Sequence, residues 1–580
     1  MINWKRSGPA LTSSPRRHSW PDMSAALPVD VMPCSNEEYF PPPPSKQQLQ
    51  IMWLADRETE RLRRKFNMSR REFVRTAAAT AIGFWAIDMV RPGLFGSYGA
   101  ARAGVDACDL EFAGGRGLES LRNLPGEFIF DVQSHHVDPD GMWRVTNPVI
   151  HAFYAAVWPQ ANPVFGESGG ELDPIANLSR FHYLKELFLD SATTMTVLSC
   201  SPTSPDADNP LPLAEAALTV DTVNDLADTR RSVMHSFVMP NRGSPGGDNT
   251  PYITPKYLQE ELDLMMERAS IYRTKLRGWK TYCAWGSVPG ASGWWLDSDT
   301  GMAFLEQVRE ISHRFKKVPP VVATHKGFAL PGFDQEKSTP RDIGPAAKAN
   351  RDIRFLVYHS GYDIGDTQRA YAGDANVRSN TNHVDALVKS LRENDYDATR
   401  FRKRGKRFGN VPNVYAELGS VWRSVMDDPD QAAHLLGKLI THVGPKRICW
   451  GTDSLWYGSP QPEIVAMRRF EFTEQGKELY RLPHGLEGDV NDPTRKAPRP
   501  ERTIRNAILG RNAARAYRID PDARRKKIHC DDVSALRDGG YLRGEPGSLR
   551  ESAPLASHQA PGPRTRREVV KALRENPWAP

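Results

Sequence analysis

Four side chains in this 580-residue chain could do chemistry together: His135, His325, His359 and Asp453. They lie far apart in the sequence, yet each sits at the end of a short apolar run, in EFIFDVQSHHV, PPVVATHKG, IRFLVYHSG and RICWGTDS respectively. Imidazoles plus a carboxylate, gathered from separate elements, suit a borderline divalent ion with one position left for water. Such an ion lowers the pKa of its water toward 7 and polarises a carbonyl, which makes hydrolysis at neutral pH feasible. In a regular strand Asp131, Gln133 and His135 share one face, with His136 on the other. A single strand-end histidine is an ordinary structural residue; the recurrence at four run ends is what points to a site.

The elements that must position these residues are equally visible. Eight apolar runs occupy residues 127–137, 193–200, 232–240, 276–285, 319–327, 353–361, 413–420 and 447–454. The stretches between them show helical periodicity, for example over 257–276, 303–315, 430–443 and 503–517. Alternating strand and helix predicts parallel βα units, and eight of them predict an α/β fold of the closed (β/α)₈ type, with working groups at the C-terminal strand ends. Lys280 on the fourth run and Glu417 on the seventh then point to the mouth, where they would pair. Trp143, Trp294, Trp295 and Trp456 fall in mouth loops, as expected for a pocket that takes an apolar or aromatic small molecule. The basic run FRKRGKRFG at 401–409 reads as solvated surface.

These residues resemble the amidohydrolase-related group of metal-dependent hydrolases, which also contains aminocarboxymuconate-semialdehyde decarboxylase and resorcylate decarboxylases. The resemblance covers roughly 127–517 and rests on DVQSHHV, THKG, YHSGYD, WGTDSLWYGSP and ILGRNAARAY. It implies His135, His325 and Asp453 as ligands of one divalent metal, zinc first with manganese or iron as alternatives. It implies His359 and Asp453 as the groups that act on the carbonyl and the water. The usual first-strand pattern is H-x-H, or a carboxylate in place of the first His; here Gln133 stands at that position, a neutral and weaker oxygen ligand.

The flanks differ in character. Residues 1–67, with PPPP at 41–44, lack a core pattern and read as an irregular extension or a mis-called start. Residues 68–103 read as a twin-arginine signal: Ser69, Arg70, Arg71 and Phe73 give the motif, a weakly apolar segment runs over 76–87, and Ala101-Arg102-Ala103 offers a cleavage site before Gly104. That predicts a partner in the twin-arginine machinery and a periplasmic or secreted location, with 104–126 as a leader and 127–520 as the barrel. The apolar segment is too short for a membrane span. From Pro521 to the end a basic, mostly irregular tail is expected, with a short helix near 567–575. The net charge of +7 divides into +6 over 1–103, +4 over 521–580 and about −3 between, so no nucleic-acid surface is read. Six cysteines without a CxxC pair exclude a structural zinc motif, and Cys200, Cys283 and Cys449 read as buried thiols.

The leading expectation is hydrolysis of an ester, amide or lactone carbonyl. Non-oxidative decarboxylation on the same barrel, and a binding protein with a degenerate metal site, stand as alternatives. A homodimer is compatible with all three.

Overall fold

The computed structural model describes residues 46–65, 68–74, 82, 86 and 123–536, except 125, 149, 153, 156–174, 176–177, 202–208, 242–252, 286–292, 331–332, 379–382 and 529–530. The chain divides into two units, 1–90 and 91–580.

In the larger unit the eight expected strands form one parallel sheet in sequential order. They are β1 (Phe130–Ser134), β2 (Met195–Leu198), β3 (Ser232–Val238), β4 (Leu276–Thr281), β5 (Val321–His325), β6 (Arg354–Tyr358), β7 (Val414–Glu417) and β8 (Ile448–Cys449). Their runs are nearly continuous in apolar and β-branched residues because both faces are covered, by helices outside and by side chains within. Inside lie Val132, Val197, Val233, Ala323, Leu356 and Tyr358; outside, Trp279, Val322, Phe355, Val357 and Ala416 pack against helices. The barrel shuts between β8 and β1. Val132 N–H donates to Trp450 O at 3.1 Å, Asp453 N–H to Gln133 O at 2.9 Å and Leu455 N–H to His135 O at 3.1 Å.

The helices begin where capping chemistry says they should. Ser298 accepts from Gly301 N to start Asp299–Arg314, whose Phe304, Leu305, Val308 and Ile311 recur at helical spacing and are buried. Asp428 caps Pro429–His442, with proline at the first turn. The helix expected over 257–276 starts at Pro255 behind the cap Thr254 and stops at Tyr272, since Leu276 opens β4. The closing helix expected over 503–517 is interrupted by a π turn, Ala507–Arg511. Within it a Cβ on Gly510 would meet Phe128 O at 1.8 Å, so only glycine permits this approach to the β1 backbone.

The expectation of a mostly irregular tail from Pro521 is corrected for its described part, 521–536. Pro521–Ile528 and Asp532–Leu536 are helices. Their charge-rich composition concealed an anchor: Arg231, fully buried at the start of β3, is gripped by Asp531 through two bonds of 2.6 and 2.7 Å and donates to Ser534 Oγ at 2.6 Å. The helix expected near 567–575 lies outside the described residues.

The smaller unit also departs from expectation, because Lys46–Lys65 is a helix rather than irregular chain. Ile51, Leu54 and Ala55 give it a short apolar stripe within a charged sequence. Arg70, the first of the twin arginines, pairs with Asp56 at 2.5 Å and Glu60 at 3.1 Å. The expected apolar signal segment and its cleavage site fall almost wholly outside the described residues. Among the described residues no helix is long and apolar enough to cross a membrane.

Asp531→Ala removes the carboxylate that grips the buried Arg231 guanidinium, which costs about 3–5 kcal/mol. Denaturant titration of the two proteins measures this; a loss below about 1 kcal/mol would show that the tail is not anchored here.

Candidate active site

The strand ends of β1, β6, β7 and β8 build one cluster. Its starting point is the register shift between Asp131 and Ser134 where β1 pairs with β2. Past it, Gln133 and His135 turn to β8: Gln133 Nε2 donates to Asp453 Oδ1 at 2.8 Å, and His135 Nε2 lies 3.0 Å from the same oxygen. The same shift corrects the expectation for Asp131. Its carboxylate accepts from Gln133 N at 3.0 Å, Thr452 N at 3.2 Å and the Thr452 hydroxyl, so it braces the β1–β8 seam and does not join His135.

His359 enters from β6. The in-register pairing of β5 with β6 sets His325 beside Tyr358, one residue before His359. The two imidazoles meet edge to face with centroids 4.6 Å apart. Gly419 O accepts from His359 Nδ1 at 2.7 Å, which leaves the Nε2 lone pair to accept from Gln133 Nε2 at 3.3 Å. Burial, with Lys280 and His135 adding, holds His359 down to about 4, so its ring is neutral near pH 7. His325 is turned differently. Its Nε2–H donates to Phe328 O at 2.8 Å, and burial together with His359 keeps it well below the usual imidazole range.

Asp453 is the centre. Burial would raise its carboxyl, but the hydrogen bond from His135, the neighbouring His359 and the Ser420 hydroxyl hold it below the ordinary carboxylate range. Ser420 Oγ donates to Oδ2 at 2.6 Å. The backbone is strained where this happens: His359 and Ser360, Ser420 and Asp453 all have positive φ, at 65°, 51°, 59° and 61°. Non-glycine residues in this region cluster at functional sites, and here they follow three successive strands.

Glu417 is the scaffold under these turns. It accepts His359 N at 3.0 Å and Gly419 N at 2.6 Å, while Ser360 Oγ donates to its carbonyl at 2.6 Å. A Cβ on Gly451 would fall 1.6 Å from Glu417 Oε1, so the carboxylate occupies space that only glycine leaves. Burial pushes this carboxyl well above its ordinary range. The expected Lys280–Glu417 pair is therefore corrected. Lys280 Nζ makes no hydrogen bond; it lies 3.7 Å from the Tyr358 ring centre and 4.2 Å from that of Tyr282.

Of the four expected pocket tryptophans, one reaches the cluster. Trp456 stacks on His135 at 5.2 Å with the rings 15° apart. Trp143 is buried behind it, bonded to Asp138 O at 2.7 Å and edge-on to Tyr154, which in turn meets Trp456. Trp294 packs on Phe304 in the outer core, and Trp295 sits beneath Arg341 at 3.9 Å, so both are corrected to packing roles. Tyr282, Phe328 and Phe333 ring His325 at 5.1–5.5 Å instead. The period-two alternation from Lys280 would have flagged Tyr282. Nothing in sequence flagged Ser420 or Phe328.

Could this cluster take a metal? Among the described residues no three His, Cys, Asp or Glu side chains are arranged as a ligand set. Two observations nevertheless fit one. Ser199 O accepts from His135 Nδ1 at 2.9 Å, so the His135–Asp453 contact closes through either a proton or a cation. Gln133 Oε1 is buried with no hydrogen-bond partner, while its nitrogen faces two lone-pair acceptors; rotating the amide by 180° about its last bond turns the oxygen to the same point.

Behind Asp453 lies a second buried acid. Ser420 Oγ meets Tyr457 OH at 3.1 Å, Arg423 covers the Tyr457 ring at 4.7 Å and reaches Glu463 Oε1 at 3.5 Å. Burial pushes Glu463 up to about 8 against the Arg423 charge. The folded chain then keeps this proton between about pH 4.5 and 8 while the unfolded chain loses it, so stability falls as pH rises through that window. Glu463→Gln removes the slope. Denaturation midpoints taken across the window should fall less steeply in the variant; parallel curves would contradict the assignment.

Residues 291–519, which span β5 to β8, match the family model for amidohydrolases. No curated protein matches the chain. Among solved structures, 5-carboxyvanillate decarboxylase from Sphingomonas paucimobilis is similar at 14% identity and a TM-score of 0.37, over 68% of this chain and 99% of that one. A probable 2-pyrone-4,6-dicarboxylic acid hydrolase from Acinetobacter baumannii follows at 10% and 0.34, over 67% and 99%. An amidohydrolase from Burkholderia multivorans with bound zinc stands at 14% and 0.34, over 68% and 100%.

Proposed function

We propose, from the premise that residues 291–519 match the amidohydrolase family model, that this chain is a metal-dependent hydrolase of an ester, amide or lactone carbonyl on a small, apolar or aromatic substrate. The observation that carries this reading is the bonding of Asp453. Its two oxygens accept from Gln133 and Ser420, which is the bonding of an ionised carboxylate, and a held carboxylate is a base.

His135, Asp453, Gln133 and His359 would hold the ion, zinc first among the candidates. His325, whose Nε2–H is engaged by Phe328 O, would join only by giving up that bond. The bound ion would supply polarisation of the carbonyl and a lowered pKa for water. The protein does the rest. Asp453 Oδ1 takes the proton of the attacking water and returns it to the departing oxygen or nitrogen. Ser420 holds Oδ2 by a hydrogen bond and so fixes the orientation of the carboxylate. His359, neutral and with its Nδ1–H spent on Gly419 O, acts here as an acceptor that orients Gln133 or the ion; this revises the expectation that it assists at the carbonyl. Trp456 covers the outer face of His135 and limits water there, and Tyr282, Phe328 and Phe333 supply an apolar wall.

Turnover of an ester, lactone and amide panel in H₂¹⁸O should place one heavy oxygen in each acid product. Chelation should abolish turnover and zinc or manganese should restore it, while Asp453→Asn should lose about 10²–10⁴-fold in kcat. Carbon dioxide release without heavy-oxygen uptake would replace hydrolysis by decarboxylation on the same barrel. Absence of both metal and turnover would leave a binding protein. Export by the twin-arginine route belongs to the same proposal, on the Ser69–Phe73 motif. N-terminal sequencing of exported material should begin near Gly104, and an unprocessed cytoplasmic product would refute export.

A further inference from the structure

Lys280 takes no part in the chemistry just described, and its surroundings are unusual for a lysine. The side chain is fully buried on β4. Its Nζ has no hydrogen-bond partner and rests between two aromatic rings, those of Tyr358 and Tyr282. Among the described residues, the carboxyls and phenols that face it are committed elsewhere. Glu417 holds the amides of His359 and Gly419, Asp453 holds Gln133 and Ser420, and the Tyr282 hydroxyl donates to Cys200 O at 2.9 Å. The Tyr358 hydroxyl donates to Val132 O. Burying an ammonium without a carboxylate costs far more than burying a neutral amine, although the two ring faces offset part of that cost.

We propose that Lys280 is an amine nucleophile that condenses with the carbonyl of a small aromatic aldehyde or ketone admitted at the barrel mouth, forming an imine. A nucleophilic lysine needs a desolvated amine that no carboxylate holds, and the buried, unpartnered Nζ fits that need. It also needs aryl-compatible neighbours: Tyr282, whose ring touches Nζ, packs in one apolar cluster with Phe237, Met239, Cys200, Trp285 and Phe333. Burial lowers the Lys280 amine to about 7, opposed by the thiols Cys200 and Cys283 and the carboxyls Asp453 and Glu417; the imidazoles His235, His325 and His359 face it as well.

The step balances without a further reactant. The Nζ lone pair forms a bond to the carbonyl carbon, one N–H proton passes to the carbonyl oxygen, and that oxygen leaves as water with the second N–H proton as C=N forms. No metal is required, so the proposal stands or falls apart from the hydrolase reading.

Benzaldehyde with sodium cyanoborohydride tests it on the full chain, both metal-stripped and zinc-loaded. The reagent delivers hydride to the imine carbon, solvent protonates nitrogen, and a stable benzyl amine results. Peptide mapping should find one benzyl group on Lys280 in the stripped protein. The pH dependence of that label should have its midpoint near 7, while exposed lysines in the same digest follow the ordinary amine range near about 10.4. Lys280→Arg, which keeps a long cationic side chain but cannot form an imine, should lose this label alone. Benzylation confined to exposed lysines, or a Lys280 label that follows their pH profile, would overturn the proposal. No turnover of the ester, lactone and amide panel by the zinc-loaded protein, with the Lys280 label retained, would sink the hydrolase reading and leave this one intact.

Discussion

The closure of the barrel between its first and last strands is the constraint on which the rest depends. β8 is only Ile448–Cys449, so the seam is sewn mainly by the residues beyond it, through Trp450 O, Asp453 N and Leu455 N to the backbone of β1. Those same residues build the candidate site. The hydrogen bond from Asp453 N to Gln133 O that shuts the cylinder also sets the Asp453 carboxylate against the Gln133 amide and the His135 ring. Closure and site assembly are one event, and a barrel that failed to close would have no cluster.

Glu417 extends that logic to the neighbouring strands. A carboxyl buried this deeply would be a liability as an anion, yet it is held by backbone N–H groups, and burial favours its protonated form. It ties the turn after β6 to the turn after β7, and these turns carry His359 and Ser420 in left-handed backbone conformations. Strain of about 1–3 kcal/mol per such residue persists only where the surroundings over-determine it. Gly419 and Gly451 make that over-determination possible, because side chains there would collide with Gln133 and Glu417.

Much of this was legible in the sequence. Eight apolar runs gave the strands, and the histidines and aspartate at their ends stood out as candidates because working groups in this architecture stand at C-terminal strand ends. What escaped depended on contacts that periodicity cannot carry. A one-residue register shift in β1 separates Asp131 from Gln133 and His135, although strict alternation groups them. Lys280 and Glu417 face the same interior but bond to different things, because backbone amides outcompete the lysine for the carboxylate. Trp294 and Trp295 follow a strand end yet fold outward onto Phe304 and Arg341. Arg231 and Asp531, three hundred positions apart, fix a tail whose composition reads as solvated.

The central claim is that Gln133, His135, His359 and Asp453 converge on a single point able to hold a divalent cation. Anomalous diffraction at the zinc edge from crystals of the zinc-loaded protein tests it most directly. The account predicts one peak in coordinating contact with His135 Nε2 and Asp453, with the Gln133 amide turned oxygen-first toward it. A peak at any other group of side chains in a protein that turns over substrate would contradict it.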